Sequence, residues 1–251
     1  MTTLARLLRL LSASVVPGGG FLFGGWSPAT ALTLYWIDNL VSAFVMSARI
    51  ALHRRWTGLA GHGRGQLGAT YSTGKDREPQ VFKSFLGEFL VTSVGFTLAH
   101  GVFLAVVLGM IGQRPDAEVV RQGAIGIAIL QLLALAFDTV HLDQWPFARI
   151  KHQAIQAMSR ITLVHMALLG GMALFALRGT PGAFFTVFVW LKFFSDIGSQ
   201  LPQWNPREPP RWLVSLMGLF PKQKGETFEE YWRRTRAAED ALAAQDERAR
   251  K

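Results

Sequence analysis

Five ionisable side chains stand inside otherwise apolar segments, and they are the residues of this sequence best suited to chemistry. They are Asp38, His100, His165, Lys192 and Asp196. Apolar segments of about 20 residues are typical of membrane spans. A charge at the centre of such a span costs about 2.5 to 3.5 kcal/mol, so ionisable groups kept there mark candidate sites.

Two of these residues can neutralise each other. Lys192 and Asp196 are four residues apart, which places them on one face of a helix. They form either part of a functional site or a self-neutralising pair that fixes helix packing. Asp38 has no basic residue within one helical turn, so it needs a partner from another helix or it is protonated. Lys192 lies at a matching depth and is the natural candidate.

The two histidines widen the chemistry that this set could support. His100 and His165, with Asp38 and Asp196, provide the donors for a divalent metal site. The same groups could form a proton relay, and either histidine could be an axial ligand to a haem or another pigment. The simplest alternative is that each histidine makes one hydrogen bond between helices, usually worth about 0.6 kcal/mol in a membrane.

Helical spacing places His100 on the face that carries Ser93, Phe96 and Thr97. Weaker polar candidates surround the main set. Asn39 follows Asp38, Arg160 precedes His165 by five residues, and Asp138 and His141 are spaced to share one face at the end of their segment. We also expect Gln131 to bond another helix and Arg49 to pair or to reach the membrane surface. These secondary candidates are Asn39, Arg160, Asp138 and His141.

Composition excludes several classes of protein. The chain has no Cys, so a metal could be held only by His, Asp or Glu, and disulfides are excluded. Only 17% of its 251 residues are charged, against about a quarter in soluble domains. The sequence contains no phosphate-binding loop, no H-E-x-x-H and no G-x-S-x-G motif.

The elements that must position these residues are hydrophobic helices. The pattern predicts an all-α, polytopic transmembrane helix bundle of about six spans in residues 1–203. Residues 204–251 are predicted to form an interfacial segment and a short, charged cytoplasmic helix. The predicted spans are Leu7–Gly25, Ala29–Leu52, Ser84–Gly112, Gln122–Leu142, Ala157–Leu177 and Ala183–Leu201.

Basic residues predict the orientation. With six spans and a cytoplasmic N-terminus, 20 Lys and Arg fall inside and 3 fall outside, as the positive-inside rule requires. The net charge of +9 then reflects cytoplasmic loops, and no nucleic-acid partner is expected. We expect a multi-pass protein of the cell inner membrane, with both termini cytoplasmic and with the lipid bilayer, and other membrane subunits, as partners.

The two ends of the chain are less regular. The first segment contains Pro17 and three glycines, which favours a kinked, retained helix over a cleaved signal peptide. Near the C-terminus, Thr227 and Glu230 have the spacing of a capping box. The simplest interpretation of that last helix is a solvated helix without a specific partner.

Several short motifs resemble a bacterial multi-pass membrane family called domain of unknown function 6498. They are Gly25-Trp26-Ser27, Tyr35-Trp36-Ile37-Asp38-Asn39, Gly95-Phe96-Thr97-Leu98-Ala99-His100-Gly101-Val102-Phe103, Arg160-Ile161 with His165 and Gly170-Gly171, and Leu191-Lys192 with Asp196. The resemblance covers residues 15–200 and implies a membrane fold, but it carries no activity. The chain departs from the pattern with Asp38 in place of Glu, and with Ser93 in place of a His, so a metal site of that family would be altered here.

Two functional hypotheses follow, and the sequence leaves open whether the protein is an enzyme. The first is a membrane enzyme or transporter with a metal- or proton-linked site formed by the five ionisable residues. The second is a structural or accessory subunit of a larger membrane complex, in which these groups only hold helices in register. Haem or pigment binding through His100 or His165 is a third variant.

Overall fold

A computed structural model describes five stretches of the chain. They are residues 23–64, 82–110, 112–159, 208–217 and 227–248, with isolated positions 7, 8, 11, 18–20, 170, 190 and 206. Within these residues the regular elements are helices. The described residues include 9 of the 19 residues of the predicted first span, but only a few residues of the predicted fifth and sixth spans. His165, Lys192, Asp196 and Arg160 lie outside them.

Three long helices occupy the positions of the predicted second, third and fourth spans. They are α1 (Pro28–Thr57), α2 (Phe85–Met110) and α3 (Ala117–Thr139). All three are long and apolar enough to cross a membrane. Helix α3 begins five residues earlier than predicted because the Asp116 side chain caps it, accepting from the backbone N–H groups of Glu118 and Val119.

Shorter elements complete the described part. Two 3₁₀ helices, Ala60–Gly63 and Leu142–Gln144, follow α1 and α3. Helix α4 covers residues 147–159, α5 is Arg211–Met217 and α6 is Phe228–Asp246. The capping box predicted from Thr227 and Glu230 begins α6, with both of its reciprocal hydrogen bonds formed.

Helix α1 is the central helix of the described bundle. Its most apolar stretch is 61% buried, against 28% for α2 and 22% for α3. It runs parallel to α3: near their starts Thr30 Oγ1 accepts from the backbone N–H of Asp116, and near their ends Arg49 pairs with Asp138. It runs antiparallel to α2, because residues near the end of α1 (Met46 and Ile50) pack with Phe85 and Phe89 at the start of α2. Trp36, near the start of α1, contacts Gly101 further along α2.

The outward faces of α2 and α3 are apolar. Val102, Met110, Ile125 and Val140 are each more than half exposed in the described structure. An apolar surface of this extent is unusual on a soluble monomer and suits a lipid environment.

A compact apolar cluster closes the end of the bundle where α1 ends and α2 begins. Phe85 and Phe147 meet edge to face, with ring centroids 5.2 Å apart. We call this group the end cluster. Its buried members are Met46, Ile50, Phe85, Phe89, Leu142, Trp145, Phe147, Ile150 and Ala154.

Candidate functional site

A buried polar group lies between about one third and one half of the way along α1. We call Asp38, Ser42 and Gln131 the mid-helix cluster. Gln131 Nε2 of α3 donates to Asp38 Oδ1 at 2.8 Å and to Ser42 Oγ at 2.6 Å. Asp38 and Gln131 are buried. At 1.5 Å per residue, Asp38 lies about 15 Å from the start of α1, which is half of a 30 Å hydrocarbon layer.

One sequence prediction is confirmed by this geometry: Gln131 bonds a neighbouring helix, because its amide donates to Asp38 of α1. The amide is well suited to this role because its two N–H groups can serve two acceptors while remaining uncharged. The predicted pairing of Asp38 with Lys192 lies outside the described residues.

Trp36 joins α1 to α2 at nearly the same depth. Its indole Nε1 donates to the backbone carbonyl of Thr97 at 2.8 Å. A Cβ atom at Gly101 would lie only 2.6 Å from Trp36 Nε1, so the ring can lie against α2 only because residue 101 is glycine. Small residues at such contacts let helices approach closely within a membrane.

His100 lies on the inward face of α2. Ser93 and Thr97 share that buried face, as predicted, but Phe96 points outward and is 47% exposed. Thr97 Oγ1 donates to the Ser93 carbonyl, whereas the wholly buried Ser93 hydroxyl makes no hydrogen bond with the residues that the structure describes.

The predicted metal site is not assembled within the described stretches. They contain no group of three His, Asp or Glu side chains that could hold an ion. Two of the four predicted ligands, His165 and Asp196, lie outside them, so the metal site stays a prediction.

A second buried polar contact lies near the end of α3. Arg49 Nη2 is 3.0 Å from Asp138 Oδ2, and both side chains are almost completely buried. The prediction that Asp138 shares a face with His141 is wrong, because α3 ends at Thr139 and His141 is exposed beyond it. Arg49 therefore pairs with a residue of α3 instead of reaching the surface. Asn39, another of the secondary candidates, is buried beside Asp38.

Sequence reasoning missed a histidine pair in the end cluster. His53 Nδ1 lies 2.7 Å from His62 Nε2, and His53 Nε2 lies 2.8 Å from the carbonyl oxygen of Trp145. Both rings are fully buried. One signal was available: His53 follows Arg49 by four residues and so shares its inward face on α1.

The C-terminal end of α6 packs against the 3₁₀ turn that carries His62. Arg64 forms an ion pair with Asp246, and the backbone N–H of Ala60 donates to the carbonyl of Arg248 at 2.8 Å. The last helix is therefore not wholly solvated, contrary to the simplest sequence interpretation. Its end is held by the residues that follow α1.

The same end of α6 reaches the start of α4. Glu247 Oε1 accepts from the backbone N–H of Ala148 at 3.1 Å, in the first turn of α4. Burial lowers the pKa of Lys151 in this region, and the negative charges of Asp246 and Glu239 partly oppose that shift. The end of α6 thus places the carboxylates of Asp246 and Glu247 against two separate segments, the turn after α1 and the start of α4.

These features define the class: in the described stretches the chain is all-helical, with three helices of membrane-spanning length connected by buried polar contacts. The chain belongs to a family of unknown function, DUF6498, whose model matches residues 1–212. No curated protein and no solved structure matches the chain. Two motifs of the resemblance contact each other in the fold, because Trp36 packs on Gly101.

Proposed function

We propose that the protein is a six-span membrane protein whose mid-helix cluster is a proton-linked site. In this proposal Asp38 exchanges a proton, and His100, His165, Lys192 and Asp196 complete the site. The observation that carries it is the burial of the Asp38 carboxyl at mid-helix, with a neutral amide from Gln131 as hydrogen-bond donor.

The hydrogen bond from Gln131 is compatible with both protonation states of Asp38. An amide N–H can donate to the carbonyl oxygen of a carboxylic acid or to a carboxylate. The hydrogen bond at Oδ1 is therefore kept in whichever form Asp38 takes, as proton exchange requires.

The unpaired hydroxyl of Ser93 adds a second polar group to the interior of α2. Its burial without a hydrogen bond is costly, about 1 to 3 kcal/mol in protein mutational data. Such a cost is easier to understand at a site that handles a polar species than in a purely structural interface.

The arrangement of the long helices supports the predicted topology. Consecutive spans must alternate in direction, and α1, α2 and α3 do so. Arg54 and Arg55 in the last turn of α1 then lie on the cytoplasmic side of a bacterial inner membrane, and Arg114 lies on the opposite side.

Infrared titration of the reconstituted protein tests the proton-linked site directly. We expect a protonated carboxyl band that titrates with pH, shifts in D₂O and disappears in Asp38→Asn. Asp143→Asn, which changes an exposed carboxylate, is the matched control and should keep the band. A spectrum of Asp38→Asn identical to that of the unchanged protein would contradict the proposal.

Cysteine labelling tests the topology, and the chain offers a clean background because it has no Cys. Arg55→Cys and Arg114→Cys place single thiols at opposite ends of the bundle. In right-side-out vesicles, an impermeant reagent should label only Arg114→Cys. Labelling of Arg55→Cys alone would reverse the orientation.

A structural or accessory subunit is the second candidate. It is favoured by one observation: Gln131 ties Asp38 and Ser42 within a single turn of α1, which fixes the register of α1 against α3. In this alternative Asp38 does not titrate, and the exposed faces of α2 and α3 pack against a partner subunit. Co-purification of a stoichiometric partner, together with no titrating infrared band from Asp38, would support it.

The predicted four-ligand metal site needs residues that lie beyond the described helices, whereas haem or pigment binding needs only His100 or His165. His100 and Asp38 would supply two donors, with His165 and Asp196 as the others. Elemental analysis and an absorption spectrum of the purified protein test these forms. Retention of a stoichiometric metal that is lost in His100→Ala would replace the proton-linked proposal with a metal-linked one.

A further inference from the structure

The buried histidine pair has a single compatible arrangement of protons at neutral charge. The carbonyl oxygen of Trp145 can only accept, so His53 Nε2 carries a proton and donates to it. His53 Nδ1 is then an acceptor in the neutral ring. His62 Nε2 must therefore donate to it across 2.7 Å.

The same geometry limits how many protons the pair can bind. One additional proton can be placed on His62 Nδ1 without breaking the bond to His53. A second would put two N–H donors against each other at 2.7 Å, so the contact would open. The pair can thus bind one proton with its contact intact, and a second proton separates the two rings.

The environment makes even the first proton costly. The His62 ring meets the Phe147 ring at 4.9 Å, edge to face, and both histidines are buried within the end cluster. Water does not reach these rings, so a positive charge there loses its hydration. Local opening, which returns His62 to water, is the cheaper response to acid.

Charges among the described residues do not remove this cost. Arg49 and Arg64 are already paired with Asp138 and Asp246. Glu247, just after α6, interacts electrostatically with His53, but its carboxylate also accepts from the backbone N–H of Ala148. The other titratable groups on the neighbouring elements are Glu88 on α2, Asp143 on the second 3₁₀ helix, and Arg149, Lys151 and His152 on α4.

His62 is connected to the tail through its own short turn. The turn Ala60–Gly63 contains His62, and its flanking groups bind α6 through the Ala60–Arg248 and Arg64–Asp246 contacts. The turn also lies tight against α4, because a Cβ at Gly61 would be 2.3 Å from Phe147. If His62 leaves the cluster, the turn must move and α6 loses two of its attachments.

We propose that the His53–His62 pair is a proton-operated latch that holds the C-terminal end of α6 on the bundle at neutral pH and releases it in mild acid. The latch is separate from the mid-helix cluster. Its effect would be to uncover the basic ends of α1 and α4 when the adjacent compartment acidifies.

Spin-label distance measurement on the full chain in nanodiscs tests the latch. Arg55→Cys and Ala244→Cys are exposed positions at the end of α1 and on α6, and no native Cys interferes. We expect one narrow distance distribution at pH 7.5 and a broad one at pH 5.5. Aspartate and glutamate, with usual pKa values of about 4, stay ionised in this window, so they would not cause the change.

His62→Gln is the decisive variant, because its amide can still donate to His53 but cannot take up a proton. It should keep the narrow distribution at both pH values. His141→Gln, which changes an exposed histidine, is the matched control and should broaden at pH 5.5 like the unchanged protein. A distribution that does not change with pH, or one that broadens equally in His62→Gln, would overturn the latch.

Nitrogen NMR of the histidines keeps the inference testable if His62→Gln fails to fold. With only six histidines, the ¹⁵N spectrum is sparse. At pH 7.5 both buried rings should show the Nε2–H tautomer. The signals of this tautomer should disappear with the same pH midpoint as the change in the spin-label distance. A difference of more than about one pH unit between the two midpoints would refute the latch.

Discussion

The contacts halfway along the bundle and the end cluster both hold α1 against its neighbours, but in different ways. At mid-helix the contacts are few and polar: one amide, one indole and a glycine that admits the indole. At the end, nine buried apolar residues pack as in a soluble core. In the proposed membrane topology the difference follows from the solvent, because burial of apolar groups stabilises little in lipid, where hydrogen bonds and close packing remain. At the proposed aqueous end of the bundle, an aromatic core and charged segments stabilise the fold instead.

Removal of the buried ion pair should produce the largest effect. Asp138→Leu leaves Arg49 charged without its partner in the interior, which should cost about 3 to 5 kcal/mol of unfolding free energy. Denaturant titration of the purified protein in mixed micelles measures it. The double variant Arg49→Leu with Asp138→Leu should recover most of the loss, and a double variant as unstable as Asp138→Leu would contradict this assignment.

Closing the space for the indole should have the next largest effect. Gly101→Ala puts a methyl group 2.6 Å from Trp36 Nε1 and should cost about 1 to 3 kcal/mol through overpacking. Gly95→Ala lies on the same helix with nothing within 4 Å and should gain about 0.5 to 1 kcal/mol. Equal effects of the two variants would show that α2 does not pack on Trp36.

Loss of the amide at mid-helix should be milder. Gln131→Leu removes two hydrogen bonds to α1, and bonds between membrane helices average about 0.6 kcal/mol and reach about 1.7 kcal/mol. The same denaturant titration measures the loss. A loss as large as that of Asp138→Leu would show that Gln131 compensates a buried charge rather than only donating hydrogen bonds.

The contact between the tail and the 3₁₀ turn should contribute least to global stability. Arg64 is partly exposed, so its pair with Asp246 should stabilise by about 1 kcal/mol or less and should weaken with salt. A double-mutant cycle with Arg64→Ala and Asp246→Ala isolates this interaction. The mobility of a spin label at Ala244 should increase in either variant even where stability does not change.

His152 offers a small pH effect outside the long helices. Burial lowers its pKa, so the folded protein binds this proton less readily than the unfolded chain. Stability should therefore be complete above about pH 6.5 and fall as the pH drops below that value. His152→Gln should flatten the slope slightly, whereas His62→Gln should flatten it more, because that ring is fully buried.

The sequence by itself determined the positions of the three long helices, because runs of about 20 apolar residues are a signal that neighbours do not alter. It also identified Asp38 and Gln131 as polar groups that need partners from other helices. The capping box at Thr227 was readable for the same reason, since it depends on residues only three positions apart.

Only the tertiary structure decided which groups meet. Asp138 belongs with Arg49 rather than with His141 because α3 ends between Asp138 and His141, and such an end depends on local geometry more than on composition. The His53–His62 contact joins the end of a long helix to the turn after it, and the tail reaches that turn from about 180 residues further along the chain. Contacts at such separations leave no periodic trace in a sequence, because packing selects them only after the helices have formed.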